Sequence, residues 1–418
     1  MNSITRAVYD YLLDCHEKGV ILSGQQEGNP RNAPDFEIDY LRIVTGGKLP
    51  AIRGLDYISD DFDGVNKRAI AWWREGGLVS ICWHWGIPPY GVGYESSKGE
   101  IDLTEALDEK SELHAGMLRQ MDRVGRALRV LQDAKVPVLW RPFHEFDGNW
   151  FWWSKGTPEQ FIELWRLMYA RFTEKFELDN LIWVLGYADD VKDGWYPGDE
   201  YVDILGSDTY RLGLHEKAYK RLGELTDKPM PRAFHECGEI PDPDALKKQN
   251  LNWLWFLTWH TRLLTNLNTP ASIEKIYNNE RVITRDKLPT SFRALPQSVT
   301  AEDAPEAIGP YSHAVKTQGL VFTSGQIPID PATGEVDGAD ITAQSVRVMQ
   351  NLDAVLKASG ADFAAVVKTT CFLADMADFA GFNAVYAKYF PNKPARSCVA
   401  VKTLPKNVLV EVEAIAIV

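Results

Sequence analysis

Two glutamates, Glu145 and Glu236, each follow an apolar run and each stand directly after a histidine, in VPVLWRPFHE and PRAFHECG. If both runs are strands opening on one side of a sheet, two carboxyls converge on one cleft. Such a pair is the minimum apparatus for cleaving a glycosidic bond: one carboxylic acid protonates the leaving oxygen, the other carboxylate acts opposite as nucleophile or base. The setting of Glu145 fits that chemistry. The stretch WRPFHEFDGNWFWW, residues 140–153, gathers four tryptophans and three phenylalanines around Arg141, His144, Glu145 and Asp147. Sugar rings present apolar C–H faces that stack on indole, while their hydroxyls need charged or polar partners. Trp150, Trp152, Trp153 and Trp259 are therefore read as sugar platforms. The same aromatic wall would desolvate Glu145 and raise its pKa, as a general acid near neutral pH requires.

Each signal alone is modest. A lone glutamate after an apolar run more often caps an element or faces solvent, and Glu239 competes with Glu236 for the second role. Trp72 and Trp73, at helical spacing, are read as core, and Cys82 and Cys237 as small buried hydrophobes. No HExxH or triple-histidine pattern occurs, so neither a metal nor a cofactor is expected.

The elements that must position these groups are legible as alternation. Apolar runs at 21–25, 51–57, 78–85, 136–145, 181–187, 202–210, 231–238 and 251–260 alternate with amphipathic helical stretches such as ELHAGMLRQMDRVGRALRVLQDA. Eight strand–helix pairs predict a (β/α)8 barrel over residues 1–290. A doubly wound open sheet competes, but no GxGxxG follows the first run. Each run begins apolar and ends polar or aromatic: His84 and Trp85 on the third, Arg141, His144 and Glu145 on the fourth, Asp208 and Tyr210 on the sixth. Glu236 ends the seventh, and Trp259 and His260 the eighth. In such barrels the C-terminal strand ends face the active site.

Against those residues, the chain resembles glycoside hydrolase family 26, typified by endo-β-1,4-mannanases. WRPFHEFDGNWFWW is similar to the family's acid/base signature, and KPMPRAFHECG to its strand-7 E-x-G nucleophile motif. Together with GLVSICWHW, LGSDTY, FLTWH and VITRDKLP they run in the family's order along the chain, and the likeness spans about residues 5–290. It implies Glu145 as general acid/base, Glu236 as nucleophile, and retention of anomeric configuration. It further implies that His144 orients substrate, that Tyr210 hydrogen-bonds the nucleophile, and that His84 and Trp259 flank the cleavage point. Trp85 and Arg141 complete the expected substrate-binding set. Mannan or manno-oligosaccharide is the implied substrate, with another β-glycan as the alternative.

Composition divides the chain. None of the fourteen tryptophans follows Trp259, and residues 283–307 hold three prolines without apolar periodicity. We place a linker at 291–303 and a second domain at 304–418, read as strand, helix, strand, helix, strand, strand: a small α+β domain. Its VLVEVEAIAIV run alternates cleanly, which leaves one sheet face bare and predicts oligomers. From the residues alone, Arg396 after PNKPA could clamp a carboxylate, but a surface ion pair is the simpler reading. APEAIGPYSHAV, FTSGQIPIDPATGEV, NAVYAKYFPNKPARSCVAV and LPKNVLVEVEAIAIV resemble the RidA/YjgF family of enamine/imine deaminases, of chorismate-mutase-like fold. That likeness implies a homotrimer with sites between subunits. It implies hydrolysis of 2-imino or 2-enamino acids without a cofactor, Arg396 binding the substrate carboxylate and Glu411 the water. Tyr311, Ser324, Asn383, Tyr386 and Cys398 match the family's pocket. The domain could equally act only as a trimerisation module, in a natural or engineered fusion.

A net charge of -13 argues against nucleic acid as a partner, including the ribonuclease activity ascribed to some members of that family. Five scattered cysteines form no CxxC, and no run reaches membrane-spanning length. Unpaired thiols and an N-terminus without a signal h-region lead us to expect a cytoplasmic protein.

Overall fold

A computed structural model describes residues 1–28, 33–293, 297–307, 309–317 and 319–418. Residues 294–296 of the expected linker, Ile308 of APEAIGPYSHAV and Gln318 of the following strand run lie outside the described residues. The chain forms two compact units, Met1–Phe292 and Arg293–Val418.

The first unit is the expected barrel. Strands β1 (Ile21–Gln26), β2 (Ile52–Asp56), β3 (Leu78–Cys82), β4 (Val138–Arg141), β5 (Leu181–Tyr187), β6 (Ile204–Thr209), β7 (Arg232–Cys237) and β8 (Trp255–Thr258) pair in parallel in chain order. The ladder closes where β1 pairs with both β8 and β2, which excludes the open sheet, and a short β9 (Val282–Ile283) adds beside β1. Nearly every strand residue is buried, because helices cover the outside and side chains fill the inside. The covering helices follow from local chemistry. In Glu112–Asp133, Met117, Met121, Val124, Leu128 and Leu131 recur at spacings of three or four and turn one apolar stripe inward. The Ser111 side chain accepts from the His114 amide and starts that helix, as Thr157 does for Pro158–Ala170 through the Gln160 amide.

Several strand ends differ from expectation. The fourth run was expected to extend to Glu145, but β4 ends at Arg141, and the chain then turns through Phe143 and Glu145, both at positive φ. The eighth run begins at Trp255 instead of Leu251.

The second unit is a six-stranded mixed sheet in the order β10-β11-β12-β15-β13-β14, with β10 (Gln297–Val299), β11 (Ala314–Thr317), β12 (Leu320–Thr323), β13 (Val366–Leu373), β14 (Ala395–Ala400) and β15 (Val410–Ile417). Where the element order expected a single strand before the first helix, the chain forms an antiparallel pair, β11 and β12, and Gly319 takes φ +76° between them. Residues 297–299, inside the expected linker, form the edge strand β10. Helices Ile341–Ala358 and Phe379–Tyr389 share a core with Val410, Val412, Ala414 and Ala416 of β15. The other face carries Glu411, Glu413 and Ile415, beside the exposed Phe322. No described helix is long and apolar enough to cross a membrane, and all five cysteines are free.

Candidate active site

β7 carries Glu236 to the C-terminal end of the barrel, where it is 2% exposed. A buried carboxylate needs paired donors, and two side chains supply them, Arg141 and Tyr210. Arg141, the last residue of β4, forks between Asp208 of β6, at 2.7 Å from Nη1, and Glu236, which its Nη2 meets. The Tyr210 hydroxyl donates to the other oxygen of Glu236. Beyond β4, the turn that puts Glu145 at φ +54° is fixed by its amide, which donates to the Gly186 carbonyl at 2.8 Å. Glu145 thereby opens to the cleft opposite Glu236, and its Oε2 accepts from the Trp150 indole at 2.7 Å. One carboxylate oxygen from each of Glu145, Asp208 and Glu236 lies within 4.8 Å of the others.

A second buried chain flanks the carboxylates. Asp56, at the end of β2, accepts from the His84 amide at 3.1 Å and meets His84 Nδ1 at 2.5 Å. His84 Nε2 lies 3.1 Å from His144 Nε2, so one of the two rings donates to the other. Burial drives the His144 pKa well down, reinforced by His84 and Arg141, and the ring is neutral.

Burial also raises the Glu145 carboxyl well above the carboxylate range, and repulsion from Glu236 and Asp208 adds to it. Burial pushes Glu236 up as well, but Arg141 and Tyr210 oppose it. Glu236, bonded to a guanidinium and a phenol, ionises before Glu145, which has only an indole N–H. One proton shared unequally between two carboxyls is the state that separates an acid from a nucleophile.

A cleft of about 320 Å³ opens over this centre and is lined by His84, His144, Glu145, Tyr210, Glu236 and Trp259 among others. Of the expected binding residues, Arg141 lies beneath the cleft instead, 2% exposed, and holds Glu236 in place of meeting substrate. Trp150, 40% exposed, does not line the cleft itself but donates to Glu145, which does. Three expected contacts are corrected. Trp152 and Trp153 are fully buried, their indole N–H groups satisfied by the Trp85 and His144 carbonyls. Trp85 is buried too, stacked on Trp83 at 4.2 Å with its N–H on Gln120. The short helical turn Trp152–Ser154 carries Trp152 and Trp153 inward, where they pack with Trp85 under the site. Glu239, the rival second carboxylate, is exposed and does not line the cleft.

Sequence reading left out Asp56, Glu27, Tyr94 and Phe151, which also line the cleft. Asp56 carried the same signal as the chosen residues, a polar group closing an apolar run. Tyr94 and Phe151 lie in loops and carried none.

In the second unit, Arg396 Nη1 donates to Asn383 Oδ1 at 2.9 Å, and the guanidinium lies 4.6 Å from the Tyr386 ring. Cys398 shares that face, opposite Cys371. Ser324 donates to the Ser312 carbonyl at 2.6 Å, and Tyr311 is 47% exposed. Register sets Glu411 apart. It lies opposite Phe372, while Arg396 lies opposite Thr369, and residues separated by an odd number along a strand point to opposite faces. Arg396 and Glu411 of one chain therefore leave the sheet on opposite sides.

Residues 1–287 match the family described as Glycosyl hydrolase family 26, and residues 301–418 the family described as Endoribonuclease L-PSP. A mannan endo-1,4-beta-mannosidase from Thermothelomyces thermophilus is 33% identical over 305 residues, 68% of this chain and 61% of that protein. This chain thus spans less than two thirds of that relative's length. The structure of a family 26 protein from a Muricauda species superposes with a TM-score of 0.65 at 32% identity, covering 69% of this chain and 98% of that one. A RutC family protein from Pyrococcus horikoshii is 51% identical over 119 residues, 28% of this chain and 94% of that protein. A closed barrel with two carboxylates at its mouth, matched in order along its length, makes this chain a member of glycosyl hydrolase family 26, joined to a C-terminal unit of the Endoribonuclease L-PSP (RidA) family.

Proposed function

We propose that the barrel hydrolyses β-1,4-mannosidic bonds with retention of configuration, Glu145 serving as general acid/base and Glu236 as nucleophile. The approach of the Glu145 and Glu236 carboxylates, with oxygens within 4.8 Å, carries this reading. Retaining enzymes separate their carboxyls by ~5–5.5 Å, whereas inverting ones leave ~6.5–9.5 Å for a water. In the first step Glu145 gives its proton to the glycosidic oxygen while Glu236 bonds to the anomeric carbon and the aglycone leaves. In the second, Glu145, now a carboxylate, takes a proton from water, and the water oxygen displaces Glu236. Arg141 and Tyr210 hold Glu236 through both steps, and Trp259, half-buried in the cleft wall, offers its ring to the sugar face. The names of the relatives support mannan as the substrate. Wild type and Glu236→Ala, incubated with mannan, xylan and mixed-linkage glucan, test it by product anomers. Wild type should release β-anomers first from mannan, and the variant should fall to background. Unchanged turnover in Glu236→Ala removes the nucleophile assignment.

For the second unit we propose deamination of 2-imino or 2-enamino acids in a homotrimer. The Arg396 guanidinium, bridged to Asn383 and stacked on Tyr386, suits a substrate carboxylate. Glu411, on the opposite face, would come from a second copy. The bare face with Phe322 favours that assembly.

A further inference from the structure

Glu37 stands in the first turn of the helix Phe36–Val44 and is 1% exposed. Its carboxylate accepts from three donors at once: Gly28 N at 3.2 Å on Oε2, and Thr261 N at 2.9 Å and Thr261 Oγ1 at 3.1 Å on Oε1. Gly28 follows β1 and Thr261 follows β8, so one side chain ties together the exits of two neighbouring strands. Both exits face the cleft, which Gly28, Trp259 and His260 line.

The junction is strained and tight. Thr261 takes φ 47° and ψ -106°, a region a β-branched residue occupies only when its surroundings hold it there. Glu37 holds it by both amide and hydroxyl. The same hydroxyl lies 3.2 Å from His260 Nδ1, and the His260 ring lies 5.4 Å from that of Trp259. A methyl group on Gly28 would stand 2.6 Å from Glu37 Oε1, 2.6 Å from Thr261 Oγ1 and 2.8 Å from His260 Cβ. Glu37, Thr261 and His260 are therefore in close contact beside the Trp259 ring.

We propose that Glu37 is a positioning residue which, through Thr261, sets the Trp259–His260 wall of the cleft and so governs how tightly the glycan binds. It acts without touching substrate. The proposal rests on the reading of the cleft as a glycan site and adds the determinant of one of its walls.

The experiment measures kcat, KM and thermal midpoint for the full chain and for Glu37→Ala, Glu37→Gln and Thr261→Val on a manno-oligosaccharide of fixed length. Glu37→Ala should raise KM about tenfold with kcat held within about twofold, the pattern of lost binding without lost chemistry. Glu37→Gln keeps an acceptor for Thr261 and should fall between. Thr261→Val keeps the branched shape, drops only the hydroxyl, and should raise KM even if Glu37→Ala folds poorly. A lowered midpoint with KM unmoved in both Glu37→Ala and Thr261→Val would make Glu37 a strut and overturn the proposal, as would a fall in kcat alone. Wild-type turnover is the control: its presence with unchanged variant KM sinks the clamp alone, and its absence sinks the glycan reading beneath it.

Discussion

Glu145 and Glu236 are the same residue type following the same neighbour, and environment alone divides their roles. Glu236 meets Arg141 and Tyr210, whereas Glu145 meets the Trp150 N–H. The guanidinium favours the anion, and it stays in place because Asp208 shares it. Glu145 is pushed up by burial and by the two carboxylates facing it. The sign of the pH dependence follows. A general acid works in its protonated form, so activity holds until pH rises through the raised Glu145 pKa and then falls. At the acid end, activity falls as Glu236 takes up a proton and ceases to be a nucleophile. Glu145→Gln should lower kcat/KM on mannan about 10²–10⁴-fold, the usual contribution of a positioned acid, and should abolish the alkaline limb. Profiles of kcat/KM against pH for both proteins check this; an alkaline limb persisting in Glu145→Gln would assign it to another group.

At the scale of elements, the loop after β4 shows what a sequence can and cannot declare. All eight barrel strands were legible, because strands buried on both faces read as apolar runs and the covering helices supply a different period. Their polar tips were legible too, because one such run means little but the same apolar-to-polar ending recurs on strand after strand. Side-chain direction was not. Trp150, Trp152 and Trp153 look alike in the chain, yet only Trp150 is exposed, because the turn Trp152–Ser154 carries its neighbours into the core. Asp208 and Asp56 both close apolar runs, but what they do was hidden for a related reason: their partners lie 67 and 28 residues away. The distinction is measurable. Trp152→Ala removes a fully buried ring and the bond to the Trp85 carbonyl. It should destabilise the barrel by about 3–5 kcal/mol, seen as a lower thermal midpoint. Trp150→Phe should leave the midpoint unchanged and lower kcat, since it removes only the donor to Glu145. An unstable Trp150→Phe beside a stable Trp152→Ala would reverse the two assignments.

At the scale of the whole molecule, the two units differ in how complete they are. The barrel holds both its carboxylates, their supports and the cleft within one chain. The second unit divides its matched residues between two faces of one sheet, with Arg396 on the helix side and Glu411 on the other. On the proposed reading those groups meet one substrate only when two copies assemble, so its chemistry and its assembly are one question. The uncovered face points the same way: Phe322 and Val399 are 42% and 46% exposed there, large apolar groups that a lone sheet would leave in water. Light scattering should therefore give the mass of three 47.2 kDa chains for the full protein. Val399→Asp places a charge on an exposed position of the edge strand β14, where the fold of one copy tolerates it but a buried contact does not. The variant should run as a single chain and lose ammonia release from 2-aminoacrylate as completely as Arg396→Ala does. Its barrels should still cleave a short manno-oligosaccharide at the wild-type rate, because the two carboxylates, their supports and the described cleft lining all lie within one chain. A single-chain Val399→Asp protein that still released ammonia would show that one copy suffices, and the arrangement of Arg396 and Glu411 across the sheet would then need another substrate pose.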